Sequence, residues 1–171
     1  LVSEADAIVT YNGDKFDLPK LRGDFLLADL LPPPPHTSID VYKTVRGLGL
    51  VSGKLDFVGP YLQLGQKIKH EGFSLWTKTM DGDDKARSRM KKYCLQDVKL
   101  LERVYKKLRP YIKNHPHLGN EVHACGACGS NKVQKRGTRR TKHYSIQRLQ
   151  CQTCGSWGEG TRKKLTGKPK T

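Results

Sequence analysis

The sequence predicts a mixed α/β domain followed by a small β-rich unit built on cysteine pairs. The first sign is Ala7-Ile8-Val9-Thr10-Tyr11, a short β-branched, apolar run that reads as a buried strand. Leu18, Leu21, Phe25 and Leu26 follow it at helical spacing. The second sign is Met90, Cys94, Val98, Leu101, Val104 and Leu108, which repeat at three and four like the core stripe of a long helix. The third is two Cys-x2-Cys pairs, Cys125 with Cys128 and Cys151 with Cys154, around a stretch in which Tyr144, Ile146 and Leu149 alternate as a strand.

In chain order, Leu1 to Asp6 reads as the end of a helix leading into the strand at Ala7. Asn12-Gly13 then turns the chain, because Gly tolerates positive φ and Asn nearly does. The helix that begins at Asp17 accepts Pro19 in its first turn and runs to about Leu30. Pro32 to Pro35 permit no helix and form an extended spacer. Thr37 to Val41 reads as a second strand ending near Asp40. Gly47, Gly49 and Gly53 mark a link to a helical segment with Leu55, Val58 and Leu62, which Gly59-Pro60 must kink or break. Gly65 to Gly72 is a basic loop containing Lys67 and Lys69, and Phe73 to Met80 forms a short helix. The long helix starts near Asp84, after possible caps at Asp81 and Asp83, and Pro110 ends it. These signals divide the chain into residues 1–112, a linker over 113–122, a cysteine unit over 123–163 and a basic tail over 164–171. The tail is expected to be disordered, and the polar composition that suggests this begins at Thr161.

The formal net charge of +16 is concentrated in the final third, where residues 118–171 hold 12 Lys or Arg against 2 Asp or Glu. A surplus that dense calls for a polyanion, and nucleic acid is the partner it fits best. The longest apolar run, Phe25 to Leu31, is broken by Asp29 and stopped by Pro32, so neither a transmembrane segment nor a signal peptide is expected. The chain begins at Leu1 and not at Met, which suggests that polypeptide precedes it. Cys94 stands apart from the pairs, on the apolar side of its helix, and reads as a small core residue. Paired cysteines of this spacing point to zinc in a reducing, cytoplasmic setting and not to disulfides.

Asp17 falls where a strand end meets a helix N-terminus, a place that suits both a catalytic carboxylate and a helix cap. Tyr93 and Asp97 stand one turn apart on one helix face. Tyr93 could simply pack at the core edge, but Asp97 falls beside the apolar stripe, where an unpaired charge is costly. Asn12-x3-Phe16-Asp17 followed by Tyr93-x3-Asp97 resembles the second and third motifs of the DEDD 3′–5′ exonucleases of the RNase H-like superfamily, and the Tyr marks the DEDDy branch. The blocks YNGDKFDLPKL, SIDVYKTVR, GKLDFVGPYLQLG and YCLQDVKLLERVY, in that order, resemble predicted phage and bacterial exonucleases related to the proofreading domain of B-family DNA polymerases. The resemblance covers about residues 4–112.

That resemblance implies a metal-dependent exonuclease in a bacterial or phage-infected cell, acting on single-stranded 3′ ends, of DNA in preference to RNA. It implies that Asp17 and Asp97 serve two Mg²⁺ or Mn²⁺ ions, that Tyr93 orients the attacking water, and that Asn12 holds the turn beside the substrate. Asp40 and Asp56 fall in matching blocks as structural or near-site residues, and His36 and His70 have no special role. Two-metal hydrolysis needs carboxylates that hold the ions about 4 Å apart. The family's first motif, Asp-x-Glu on the first strand, supplies two of its four carboxylates, and no Asp-x-Glu occurs in these 171 residues. Glu4-Ala5-Asp6 has the reverse order. The fold expected is therefore a partial RNase H-like domain lacking its first strands, with an upstream segment or another polypeptide supplying the missing pair.

The cysteine spacing is that of a zinc ribbon. Four thiolates suit tetrahedral Zn²⁺ in a closed structural site, and Gly129 and Gly155 follow the pairs where a positive-φ turn is needed. Between the pairs, Lys132, Lys135, Arg136, Arg139, Arg140 and Lys142 surround Gly137 as a basic hairpin tip without one acid, and Tyr144 lies beside it. Such a tip suits phosphate contact, with Tyr144 or Trp157 available to stack on bases. The rival reading is a non-catalytic nucleic-acid-binding zinc-ribbon protein carrying a decayed nuclease-like scaffold.

Overall fold

The β-branched run at Ala7 and the run after the proline spacer pair as parallel strands. In this computed structural model β1 (Ala7–Thr10) lies against β2 (Thr37–Asp40) in the register Ala7 to Thr37 through Thr10 to Asp40. Parallel pairing requires a crossover, and α1 (Asp17–Leu27) supplies it. The structure describes residues 2–69, 71–113, 115–117, 119, 121 and 123–166. They divide into two units, Leu1–Leu108 and Arg109–Thr171.

In the first unit α1 stops three residues short of the expected Leu30, because Ala28 caps its C-terminus and Asp29 turns the chain at φ 51°. A helix absent from the sequence reading, α2 (Val41–Gly47), follows β2 directly. Its β-branched Val41, Thr44 and Val45 favour strand by propensity, but burying Val41 and Val45 decides the outcome. Asp40 caps it, its carboxylate accepting from the Tyr42 N–H at 3.1 Å. Pro60 sits in the last turn of α3 (Leu55–Tyr61), which ends there as expected. After α4 (Phe73–Met80), Asp83 caps α5 (Asp84–Leu108) by accepting from the N–H groups of Lys85 at 2.8 Å and Ala86 at 3.0 Å. The core joins Val41 and Val45 of α2, Leu55 and Val58 of α3, and Leu100, Val104 and Leu108 of α5.

The expected stripe on α5 holds only in part. Of its members Val104 and Leu108 are buried and Met90 and Leu101 half-buried, but Cys94 is exposed and Val98 is 63% exposed, whereas Ala86 and Leu100, outside the expected stripe, are buried. Cys94 is therefore not a core residue. The residues that α5 gives to the main core, Leu100, Val104 and Leu108, all lie in its C-terminal half, and at Val98 the helix borders an open cavity. Val2–Glu4 forms one 3₁₀ turn and not the end of an α-helix.

The second unit opens with a 3₁₀ turn, Arg109–Tyr111, and contains an antiparallel sheet in the order β3 (Val133–Arg140), β4 (Tyr144–Cys151), β5 (Trp157–Lys164). The hairpin tip is at Thr141–His143 and not around Gly137. Gly137, at φ 73°, sits in a bulge of β3, so the basic residues run along a strand. Strand β5 takes in Thr161 to Lys164, where composition suggested disorder, while 167–171 and His70 lie outside the described residues. Among the described residues, no helix is long and apolar enough to cross a membrane.

Candidate active site and metal centre

The turn after β1 is held by one buried carboxylate. Asp40 accepts from the Asn12 N–H at 2.7 Å and from the Asp14 N–H at 3.4 Å, while also capping α2. Asn12 is the residue with positive φ, at 64°. Gly13 is needed for a different reason, since a Cβ there would stand 2.5 Å from Thr10 Cβ. Tyr11 closes the other side, its hydroxyl donating to the Gly53 carbonyl at 2.6 Å. Burial, then the neighbouring Tyr42 and Asp40, push the Tyr11 pKa up to about 12. The asymmetry of the pair Asn-Gly is therefore conformational at the first residue and steric at the second.

Beyond this turn lies a cavity of about 1240 Å³, and it brings together Asn12, Asp17, Tyr93 and Asp97. The sequence left two readings open for Asp17. It is not the cap of α1, which is Phe16, with no side-chain hydrogen bond. Asp17 occupies the first helical position, exposed, with no ion pair or side-chain hydrogen bond among the described residues. A carboxylate there is favoured by the helix dipole.

Across the cavity, Lys67 Nζ donates to Asp97 Oδ2 at 2.6 Å and to the Tyr93 hydroxyl at 3.3 Å, and lies 5.4 Å from the Tyr93 ring centroid. Burial pulls the Lys67 ammonium down, but the bonds to Asp97 and Tyr93 outweigh it and hold its pKa above the ordinary lysine value. Sequence reasoning noted Lys67 only as part of a basic loop, and its charge was the sole signal. Asp97 Oδ1 and Thr10 Oγ1 are buried without a hydrogen-bond partner. An unpaired buried carboxylate oxygen is costly unless something binds it. A hard cation fits that atom, and Asp17 on the same cavity offers a second oxygen donor. Asp56 also lines the cavity, but among the described residues no three acidic, His or Cys side chains there come within ligating distance of one another.

The four paired cysteines meet in the second unit. Cys125 and Cys154 sulfurs are 3.7 Å apart, as are Cys128 and Cys151, and all four lie within 4.8 Å of one another. Four sulfurs placed tetrahedrally about 2.3 Å from one ion would stand about 3.8 Å apart. Both knuckles are built alike. Gly129 N–H donates to Cys125 O at 2.7 Å and Gly155 N–H to Cys151 O at 3.0 Å, with φ of 72° and 78° at the two glycines. Thr153 N–H points to Cys151 Sγ at 3.4 Å, and the Ser130 and Thr153 hydroxyls, 2.7 Å apart, join one knuckle to the other. The cluster is thus a preformed four-sulfur site that could hold a metal.

The basic residues singled out from sequence, Lys132, Lys135, Arg136, Arg139, Arg140 and Lys142, are all exposed, with Tyr144 at the start of β4. Arg139 is paired with Glu159 of β5. That partner lay outside the basic stretch and could not be read from it.

A family model of the RNase H superfamily, RNase_H_2, matches residues 1–109. No curated protein and no solved structure matches the chain. The matched span covers the whole unit containing Asn12, Asp17, Tyr93 and Asp97. The chain belongs to the RNase H superfamily, whose members are typically nucleases.

Proposed function

We propose that this chain is part of a metal-dependent 3′–5′ exonuclease of the DEDDy type, acting on nucleic acid, DNA in the first instance, with its cysteine unit a zinc ribbon that grips the substrate. The observation that carries the reading is the convergence of Asn12, Asp17, Tyr93 and Asp97 on one cavity from three separate elements. They are far apart in sequence, and general core packing does not require acids there. Asp17 and Asp97 would hold the divalent ions. Bound there, such ions supply a polarised water and a counter-charge for the leaving oxygen. The Tyr93 hydroxyl would orient the water, the Asn12 turn would set the substrate edge, and Lys67 would stabilise the charge on Asp97 and on the phosphate. The four cysteines would hold Zn²⁺ with no open position, so the ribbon's role is structural and binding, not catalytic.

Two carboxylates are too few for a two-metal site. We infer that the remaining pair comes from further polypeptide, before Leu1 or in another chain. Three features support this: no Asp-x-Glu is present, β1 pairs only with β2 among the described residues, and Val98 lies exposed on the cavity. A strand laid on the free edge of β1 would cover apolar surface and pair open backbone groups. The missing pair also favours the rival reading, a nucleic-acid-binding protein with a nuclease-like scaffold.

The test compares residues 1–171 with a version carrying an Asp-x-Glu strand before Leu1, on a 5′-labelled single-stranded oligonucleotide with Mg²⁺ or Mn²⁺. The extended protein should shorten the strand from its 3′ end, Asp97→Ala should abolish this, and Tyr93→Phe should slow it severely. Cutting by residues 1–171 alone would overturn the incomplete-site reading. An extended protein that binds but never cuts would favour the rival.

A further inference from the structure

One face of the three-stranded sheet carries a pattern that a structural zinc unit does not need. Strand β4 is regular, so Tyr144, Ile146, Arg148 and Gln150 alternate onto a single face. Residues paired directly across share that face. It therefore also carries Arg139 and Arg162, both opposite Ile146, Glu159 opposite Arg148, and Trp157 opposite Gln150. The face thus presents three arginines and two aromatic rings, and the rings stand in the open. Trp157 is 55% exposed and Tyr144 is 37% exposed.

Each ring has an arginine over it. Arg148 Cζ lies 5.7 Å from the Trp157 centroid, and Arg162 Cζ lies 5.6 Å from the Tyr144 centroid. A guanidinium over one face restrains each ring, and the exposed remainder of the ring is left for a base. Beside Trp157 a hollow of about 470 Å³ is lined by Lys113, Arg139, Arg148, Gly158 and Glu159. Glu159 is one of only two acids in residues 118–171, and it binds both Arg139 and Arg162, the latter at 3.3 Å. One carboxylate held by two arginines, in a segment with a single other acid, has the chemistry of a stand-in for a bound anion.

We propose that this face binds single-stranded nucleic acid, with one base stacked on Trp157 and another on Tyr144, and with a phosphate displacing Glu159 from Arg139 and Arg162. The two rings are separated by roughly 20 Å along β4, six residues at about 3.3 Å each, so one extended strand can reach both. A duplex hides its base faces and would reach only the arginines. The proposal rests on the nucleic-acid reading above and adds the surface and the strandedness.

The test uses the zinc-loaded full chain with Trp76→Phe, which leaves Trp157 as the sole tryptophan. Titration with short oligo(dT) should change Trp157 emission to saturation, and the matching duplex should bind more weakly. Trp157→Ala and Tyr144→Ala should each weaken binding about 5- to 150-fold, and Trp157→Phe should stay near the parent. Glu159→Gln should bind several-fold more tightly at low salt and steepen the log–log salt slope by about 0.7. Saturable binding that leaves Trp157 emission unchanged would overturn the proposal while leaving the nucleic-acid reading intact. So would duplex preference, or poly-glutamate binding as tightly as oligo(dT), which would mark an acidic-peptide surface. Failure to bind any nucleic acid would remove both readings together.

Discussion

Lys67 and Asp97 form the closest charged contact across the candidate active site, with Nζ 2.6 Å from Oδ2 and the two side chains 26% and 21% exposed. At that burial the pair is neither a solvated surface bridge nor a fully desolvated one. Lys67 engages only Oδ2, so Oδ1 of the same carboxylate remains buried and unpaired. The relationship neutralises Asp97 while leaving its second carboxylate oxygen buried without a hydrogen-bond partner. Lys67→Met should therefore lower the unfolding free energy by about 1–2 kcal/mol, because Asp97 is left half-buried without a partner. Mn²⁺ should restore part of that loss in the variant. Urea denaturation with and without Mn²⁺ checks both parts, and an unchanged midpoint in the variant would mean that the pair contributes nothing.

The four cysteines should bind one Zn²⁺ per chain. Cys125→Ser should lose it and unfold residues 123–163 while the first unit keeps its helices, since the two units have separate cores. Metal analysis and amide-resolved NMR read this. A disulfide between the knuckles under reducing conditions, or a metal-free chain with an ordered ribbon, would count against it.

How far the sequence carried these conclusions depends on where each signal resides. The cap at Asp83, the short helix Phe73–Met80 and the two strands at Ala7 and Thr37 were legible because capping and apolar pattern are local, while their parallel pairing was not. The knuckle turns at Gly129 and Gly155 were legible for the same reason. Helix α2 was not, because β-branched residues were overruled by burial that only the fold creates. Cys94 and Val98 fit the helical period yet lie off the core, since periodicity marks a face without saying how far it is covered. The ring–arginine face of β4 and β5 was hidden because a bulge at Gly137 and another in β5 reset the register, and no local pattern announces that. At the site, motif order identified Asn12, Asp17, Tyr93 and Asp97 as a group, but Lys67 joins them through a loop whose path cannot be read from spacing.

Gly59 is buried where a Cβ would meet the Gly65 carbonyl oxygen at 2.7 Å and Leu100 Cδ1 at 3.0 Å. Backbone cannot move aside cheaply, and Leu100 is fully buried. Gly59→Ala should destabilise the first unit by about 1–3 kcal/mol despite the better helix propensity of Ala. A small stabilisation in urea denaturation would show that the loop after α3 yields.

Asp14 supplies a pH dependence. Hydrogen bonds from Lys43, at 2.5 Å, and from Ser38 outweigh burial and hold its carboxyl below the usual carboxylate range. A folded-state pKa below the unfolded value means stability that is present above the unfolded value, about 3.9, and lost as pH falls through the folded one. Asp14→Asn should therefore be slightly less stable than the parent at pH 7, where the pair's small contribution is fully present, and should converge with it as pH falls through the folded-state pKa, so that its acid limb is flatter. Stability curves at several pH values, parent against variant, decide this.

The last prediction separates scaffold from site by contrasting two carboxylates near the same turn. Asp40 is buried, caps α2 and accepts from Asn12 and Asp14, so Asp40→Ala leaves three N–H donors without their acceptor. Its cost should be about 2–3 kcal/mol in stability. Asp17 is exposed, caps nothing and has no partner among the described residues, so Asp17→Asn forfeits only a helix-dipole interaction of about 0.3–1 kcal/mol. If Asp17 serves a metal, its variant should stay folded yet lose divalent-ion binding, read by Mn²⁺ titration. Asp40→Ala, where it folds, should keep that binding and lose stability. Equal stability losses in the two variants, or unchanged Mn²⁺ binding in Asp17→Asn, would return Asp17 to an ordinary surface residue.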